Sequence, residues 1–456
     1  MMGAGGSHNA RDMPQVAIVG GGIAGLATAS FLRRLAPDLR FVLLEKEIDP
    51  GGKARSTREG GFTFDWGPSS FRANAPETLE LAGAVGLSER LLPASEVARN
   101  RFVYRDGGLR PVPVSPQAFF RSELLSPGGK LRALLEPVLA SQVNQEESVH
   151  VFLSRHFGAG VAAALADSLV SDTTVGNAGE LSLDALFPQL RRLEREHRSL
   201  LRGLIGSQGG WGLPTSFREG GIQCLIDALR ADLTPELLTG EEVTALEPDA
   251  SGGLILRLKE GGEVVAEQVV LATPAPVSAT LLRPHSPEAA GLLAAIPYAN
   301  VHIFGLGFDR IDVPRLLDGF GFVVPRGEGV RSLGIQWSSS IFPDQAPKGK
   351  VLLRVIAGGT VDPAFADLSR TEALATVQRD LEITMGITAE PEYVEAVYWH
   401  RGSPQHLLGH CERLERVERL IADMPGVTLT GDAYRGVGLN DCIRDAKRVA
   451  TALAET

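Results

Sequence analysis

The chain has 456 residues, 44% of them apolar, enough for two or three domains around a large buried core. A formal net charge of -10 leaves no basic face for nucleic acid, and no run of 18 apolar residues exists to span a membrane as a helix. Cys224, Cys411 and Cys442 lie far apart with no secretory signal before them, so reduced thiols and a cytoplasmic location are expected. His197 and His410 have no partner at ligand spacing; they read as hydrogen-bonding residues, and no metal is expected.

Residues 1–13, small and polar, read as a disordered lead. Val16 to Val19 then fit a short parallel strand buried on both faces. Gly20, Gly22 and Gly25 follow as G-x-G-x-x-G. The first glycine permits a tight turn, the second lets a pyrophosphate approach the backbone, and the third lets the next helix pack on the sheet. That helix, begun by Ile23 and Ala24, aims its free N–H groups at the phosphates. "RFVLLE" is a second strand ending at Glu45, 20 residues after Gly25, where a carboxylate accepts from ribose hydroxyls and repels a 2′-phosphate. Then comes "GGKARS": Gly51 and Gly52 allow close backbone approach, while Lys53 and Arg55 bring positive charge near a phosphate. This continuation, followed by "DWGPSSF", marks FAD rather than NAD.

Segment 111–141 scatters Phe119, Phe120, Leu124, Leu125, Leu131, Leu134 and Leu135 among arginines. It reads equally as a helical pair facing the core or as a surface lying on a bilayer. "RRLEREHRSLLRG" (191–203) reads as one solvated amphipathic helix with Leu193, Leu200, Leu201 and Leu204 inward. Residues 242–274 read as a β-meander returning to the nucleotide fold, with Val243 either offering its backbone to adenine or serving as core. Near the end, a strand at 427–430 leads to Gly431 and Asp432, where a carboxylate meets a ribityl chain or a pyrophosphate-bound water. "RGVGLN" then opens a helix over 440–454 whose positive end faces the flavin edge that gains charge on reduction.

These segments, with "NRFVYRDGGLRPVP", "LSLDALFPQLRRLEREHRSLLRG", "GFGFVVP", "SLGIQWSSSIFPDQAP" and "PQHLLGH" between them, resemble the oxygen-dependent, FAD-containing protoporphyrinogen oxidases and their relatives the coproporphyrinogen III oxidases, within the amine-oxidase type of flavoprotein. The resemblance runs from Val16 to Leu453. It implies an α/β fold: a Rossmann-like FAD-binding domain (14–84, 215–284 and 420–456), an inserted helical, membrane-associated domain (85–214), and an α+β substrate-binding domain (285–419). It implies six-electron oxidation of protoporphyrinogen IX in haem biosynthesis, by hydride transfer to FAD, with dioxygen reduced to hydrogen peroxide. Flavin contacts carry over to Gly20, Gly21, Gly22, Ile23, Ala24, Gly25, Glu45, Lys46, Gly52, Lys53, Gly67, Pro68, Ser69, Ser70, Val243, Trp399, Val437, Gly438 and Leu439. Arg101 carries over as the cation that pairs with a substrate propionate. Phe320, Val323, Gln336 and Ile356 carry over as the walls around the tetrapyrrole. A position peripheral to the inner membrane and a homodimer stay open.

The sequence departs from the family at "SDTTVGNAGELS". Asp172 stands where the family has glycine over the substrate, Thr174 where it has tyrosine, and Asn177 where it has aspartate. Gln336 is polar where an apolar residue often faces the ring. The readings that remain beside protoporphyrinogen oxidation are a coproporphyrinogen III oxidase, a flavin amine oxidase or desaturase of secondary metabolism, and a flavin- or porphyrin-binding protein without turnover.

Overall fold

The structure is a computed structural model that describes residues 14–113, 116–139, 141–206, 213–250, 252–422, 424 and 426–455. The lead expected at 1–13 therefore lies outside the described residues.

The apolar runs at 16–19, 41–45 and 268–271 are too uniformly hydrophobic for a half-wet sheet. They form the centre of a five-stranded parallel sheet, in the order Leu237–Thr239, Phe41–Glu45, Val16–Val19, Gln268–Leu271, Val427–Leu429. Alternate side chains enter different cores. Val16 and Ile18 meet the helices Ile23–Leu35, Gln223–Asp232 and Leu439–Ala454 on one face. Ala17 and Val19 meet Ala275–Leu282, Pro287–Ala294 and His410–Ala422 on the other. The expected meander is present as Val243–Pro248, Leu254–Leu258 and Glu263–Ala266.

A second, seven-stranded sheet stands apart, in the order Tyr393–Pro404, Tyr298–Asp309, Lys350–Gly358, Ser332–Gln336, Gly321–Val323, Phe102–Arg105, Gly108–Pro111. Its last two strands correct the expectation of a helical domain beginning at residue 85. Asp106 and Gly107 both have positive φ (52° and 74°), the two-residue turn that closes a tight hairpin, and Phe102 and Val103 pair with Phe322 and Val323. The short strand Leu91–Pro93 likewise joins Pro214–Phe217 and Phe71–Arg72. Among the described residues, the α-helices of the insertion are confined to 116–206.

Within that insertion, the segment expected as one solvated helix over 191–203 breaks in two, Pro188–His197 and Leu200–Gly206, at Arg198 with φ of 55°. Its charges are not all solvated: Arg191 and Glu194 are 3% and 1% exposed. Arg191 binds Asp184 (2.9 Å), Glu147 (3.1 Å) and Glu194 (2.7 Å), and Arg155 binds Glu147 and Glu194 at 2.6 Å each. His156, fully buried, lies 2.6 Å from Glu136 and 3.1 Å from Glu194. Glu136 also accepts from Ser199 Oγ and the Leu200 N–H. Leu200 is buried, Leu193 and Leu201 are half-buried, and the Leu204 side chain lies outside the described residues.

The segment around 111–141 divides between the core and the exposed surface. Leu124 and Leu125 pack inward with Val103 and Val323, with Phe119 half-buried beside them. Phe120, Leu131, Leu134, Leu135, Val138 and Leu139 are 41–79% exposed on the helices Pro116–Arg121, Pro127–Leu134 and Glu136–Leu139 and the residue linking the last two. Among the described residues, no helix is long and apolar enough to cross a membrane.

Arg191→Met leaves the buried Glu194 and Glu147 short of a counter-charge. It is expected to lower unfolding free energy by about 3–5 kcal/mol, read from urea titration of the purified protein.

Candidate flavin and substrate site

The site is built where the two sheets meet. Gly20 (φ 106°) makes the turn after the first strand, and a side chain on Gly25 would stand 1.9 Å from the Gly20 carbonyl, so helix and turn touch only because both are glycine. Gly22 caps the helix, and Ile23 and Ala24 form its first turn. The Gly21 N–H donates to Glu45 Oε2 (2.5 Å) and the Glu47 N–H to Glu45 Oε1 (2.8 Å), which fixes the carboxylate beside the turn. Lys46 stays exposed and pairs with Glu47 at 3.3 Å. A side chain on Gly22 would meet no atom within 4 Å, and one on Gly52 would stand 3.4 Å from the Gly22 Cα. The Gly51 N–H donates to the Gly21 carbonyl (2.8 Å), so the two glycine turns are joined. Room at Gly22, free N–H groups at a helix start and a fixed carboxylate suit the pyrophosphate and ribose of a dinucleotide.

The other expected cofactor residues gather at this place. Lys53 Nζ lies 2.6 Å from Asp432 Oδ2, linking the turn at 51–53 to the turn at 431–432, where Gly431 has φ of 133°. Gly67 packs so closely on Lys53 that a side chain there would stand 2.3 Å from the Lys53 carbonyl. Pro68, Ser69 and Ser70 follow as a half-buried turn. Val437 is half-buried and Gly438 caps the helix started by Leu439. Val243 is 7% exposed and packs in the sheet's second core, in keeping with the core reading of its side chain.

Strand register gathers the expected substrate residues on the wide sheet. Ile303, Ile356, Gly334, Val323 and Val103 form one cross-strand row; Gly305, Arg354, Gln336 and Gly321 form the next, on the same face. Arg101, two residues before Val103, continues this face, and its guanidinium sits 4.0 Å over the Phe320 ring. Val175 joins Ile356 in a buried cluster; it ends the helix Ala159–Thr174 in a left-handed conformation (φ 49°), unusual for a β-branched residue. Of the departures noted in sequence, Thr174 donates its hydroxyl to the Val170 carbonyl (3.0 Å). Asn177 accepts from the Gly179 N–H and from Arg326. The Asp172 side chain lies outside the described residues.

Several residues here escaped the sequence reading. Arg354, 5% exposed, donates to Gly67 O (2.6 Å), Gln336 Oε1 (3.2 Å) and Asp65 O (3.4 Å). With Trp399 Nε1 donating to Trp66 O (2.9 Å), three consecutive carbonyls, 65 to 67, are held by side chains of the wide sheet. This explains Gln336: it answers a buried guanidinium. The Asp65 carboxylate accepts from Ser56 Oγ (2.6 Å), the Ile222 N–H (3.1 Å) and Gln345 Nε2 (2.9 Å). Burial raises its pKa to about 6 against these bonds and the nearby Arg354 charge. His406 and His410, both buried, stack at 3.9 Å and bond through Nε2 to the carbonyls of Asp432 (3.1 Å) and Tyr434 (2.9 Å). The adjoining Gln405 donates to the Thr174 carbonyl (2.8 Å), tying the helix Ala159–Thr174 to the turn at Asp432. His410 is thus a hydrogen-bonding residue, as read in sequence, whereas His197 is exposed.

A family profile described as flavin containing amine oxidoreductase matches residues 23–454. The chain belongs to the flavin-containing amine oxidoreductases. This flavoprotein is an oxidoreductase that takes FAD, as its two glycine turns fit. The chain is 30% identical to coproporphyrinogen III oxidase of Bacillus subtilis (strain 168), over 95% of its length and 96% of the relative's. It is 32% identical to protoporphyrinogen oxidase of Homo sapiens, over 97% and 98%. A solved chain from Exiguobacterium sp. 255-15 with protoporphyrinogen oxidase in its name superposes with a TM-score of 0.84 at 28% identity, covering 97% of this chain and 99% of that one. Reduced UDP-galactopyranose mutase shares the fold at 16% identity and a TM-score of 0.74.

Because folding raises the Asp65 pKa, the folded state holds that proton more tightly than the unfolded chain. The resulting stability is present at about pH 4 and is lost as pH rises through about 6. Asp65→Asn is expected to remove that fall, about 3 kcal/mol, from the pH dependence of unfolding measured by denaturant titration.

Proposed function

We propose that the chain oxidises a porphyrinogen to the porphyrin, protoporphyrinogen IX to protoporphyrin IX in haem biosynthesis, with coproporphyrinogen III as the alternative substrate of the same chemistry. The carrying observation is the shared face of the wide sheet: Arg101, Gln336, Val323 and Ile356 stand in adjoining rows opposite the 65–67 segment. The relatives' names support it, since both porphyrinogens appear among them at similar identity.

Bound FAD supplies the two-electron acceptor, and three successive two-electron steps remove six electrons from the macrocycle, each pair passing to dioxygen to give hydrogen peroxide. The protein's part is positioning. Arg101 pairs with a propionate, the apolar row of Val323 and Ile356 bounds the macrocycle, and Gln336 is held in one orientation by Arg354. Arg354 and Trp399 fix residues 65–67 against the sheet, so the cofactor loop and the substrate face keep one distance. The start of the helix at Leu439 offers positive potential for charge that develops on reduction.

The exposed apolar patch formed by Phe120, Leu131, Leu134, Leu135, Val138 and Leu139 supports peripheral contact with a membrane surface, which suits an apolar substrate.

Anaerobic addition of either porphyrinogen is expected to bleach the blue-region absorbance of the purified holoprotein, and oxygen to restore it with release of hydrogen peroxide. If neither porphyrinogen reduces the flavin, the assignment is wrong. For the patch, Phe120→Ser combined with Val138→Ser is expected to abolish co-sedimentation with anionic phospholipid vesicles while leaving flavin absorbance unchanged.

A further inference from the structure

Arg72 stands beside the site and has no part in the account so far. It ends the strand Phe71–Arg72 directly after the turn at 67–70, and its carbonyl accepts from Asn440 Nδ2 (3.1 Å) in the first turn of the C-terminal helix. In the three-stranded sheet it lies opposite Pro214, whose carbonyl accepts from the Ala94 N–H (2.8 Å). Ala94 packs in one buried cluster with Phe320, the ring under the Arg101 guanidinium. Two strand spacings of about 4.8 Å therefore lead from Arg72 to the cluster that carries Arg101. Both arginines are exposed. Burial of its surroundings and the positive charge of Arg101 make the Arg72 guanidinium easier to deprotonate, and Asp441 acts in the opposite direction. The two guanidiniums are near enough for the charge of Arg101 to act on that of Arg72. Arg101 lies on one side of the substrate face and Arg72 on the flavin-turn side.

We propose that Arg72 is a second carboxylate-binding cation, so that Arg72 and Arg101 together grip two propionates on neighbouring pyrroles of one tetrapyrrole. The proposal rests on the porphyrinogen reading and deepens it: the substrate class is a macrocycle with two adjacent acidic side chains, recognised as the free diacid. Each guanidinium contributes a charge-assisted pair, and the two pairs fix the rotation of the ring about its own axis. A single cation would let either propionate bind and leave two orientations.

The test uses the holoprotein and the oxidised macrocycles, which bind without turnover. Protoporphyrin IX, its dimethyl ester and coproporphyrin III are titrated in detergent, with tryptophan quenching as the readout, against wild type, Arg72→Gln, Arg72→Lys and Arg101→Gln. Arg72→Gln is expected to weaken both free acids about tenfold, to leave the dimethyl ester unchanged, and to be largely rescued by Arg72→Lys. A loss of less than twofold for the acids, or an equal loss for the ester, overturns the second-cation role while leaving the porphyrinogen reading intact. Wild type that binds neither free acid overturns both.

Discussion

The guanidinium of Arg354 holds the 65–67 segment of this flavoprotein against the wide sheet. A charge buried to 5% exposure in the middle of an apolar strand is costly unless its donors are used, and here the acceptors are the carbonyls of Asp65 and Gly67, outside the wide sheet, and the amide oxygen of Gln336 on the neighbouring strand. Satisfying one side chain therefore fixes the spacing between the 65–67 segment and the face proposed for substrate. The Asp65 carboxylate extends the arrangement to the Ile222 N–H and to Gln345, so segments around 56, 65, 222, 345 and 354 meet at one buried point.

The nucleotide half was legible in the sequence because its signals are local. The strand Val16–Val19, the spacing of Gly20, Gly22 and Gly25, and the acid at Glu45 all fall within one βαβ unit, where each residue's role follows from its neighbours. The face proposed for substrate was read only through family resemblance. Its rows join Arg101 to Gly321, Gln336 and Arg354, residues far apart in sequence whose alignment depends on register in four strand pairings. Two signals were nonetheless present. Arg354 interrupts the apolar run "VLLRVIAG", and a charge inside a buried strand demands a partner. Asp106-Gly107 between "FVYR" and "GLRP" marks a hairpin, and so a sheet, where a helical domain was expected.

The helical insertion shows why charge patterning alone misleads. "RRLEREHR" has the periodicity of a solvated helix, and part of it is solvated, but Arg191 and Glu194 turn inward to a network with Glu136, Glu147, Arg155 and His156. The sequence carries no mark of that choice, since the partners lie on other helices. One result is geometric: Glu136, between the exposed Leu135 and Val138, pins the outer apolar helices to the inner ones.

The stacked imidazoles of His406 and His410 carry a consequence for how the enzyme tolerates acid. Each ring bonds through Nε2 to a backbone carbonyl, and burial depresses the basicity of both, with the neighbouring His410 adding to the effect at His406. A proton taken up by one ring would face the other at 3.9 Å, so the pair can accept at most one without separating. The strap from Gln405 to His410, which ties the helix Ala159–Thr174 to the turn at 431–434, is therefore held by neutral rings, and its two Nε2 bonds outlast the first proton, because an imidazolium still donates to a carbonyl.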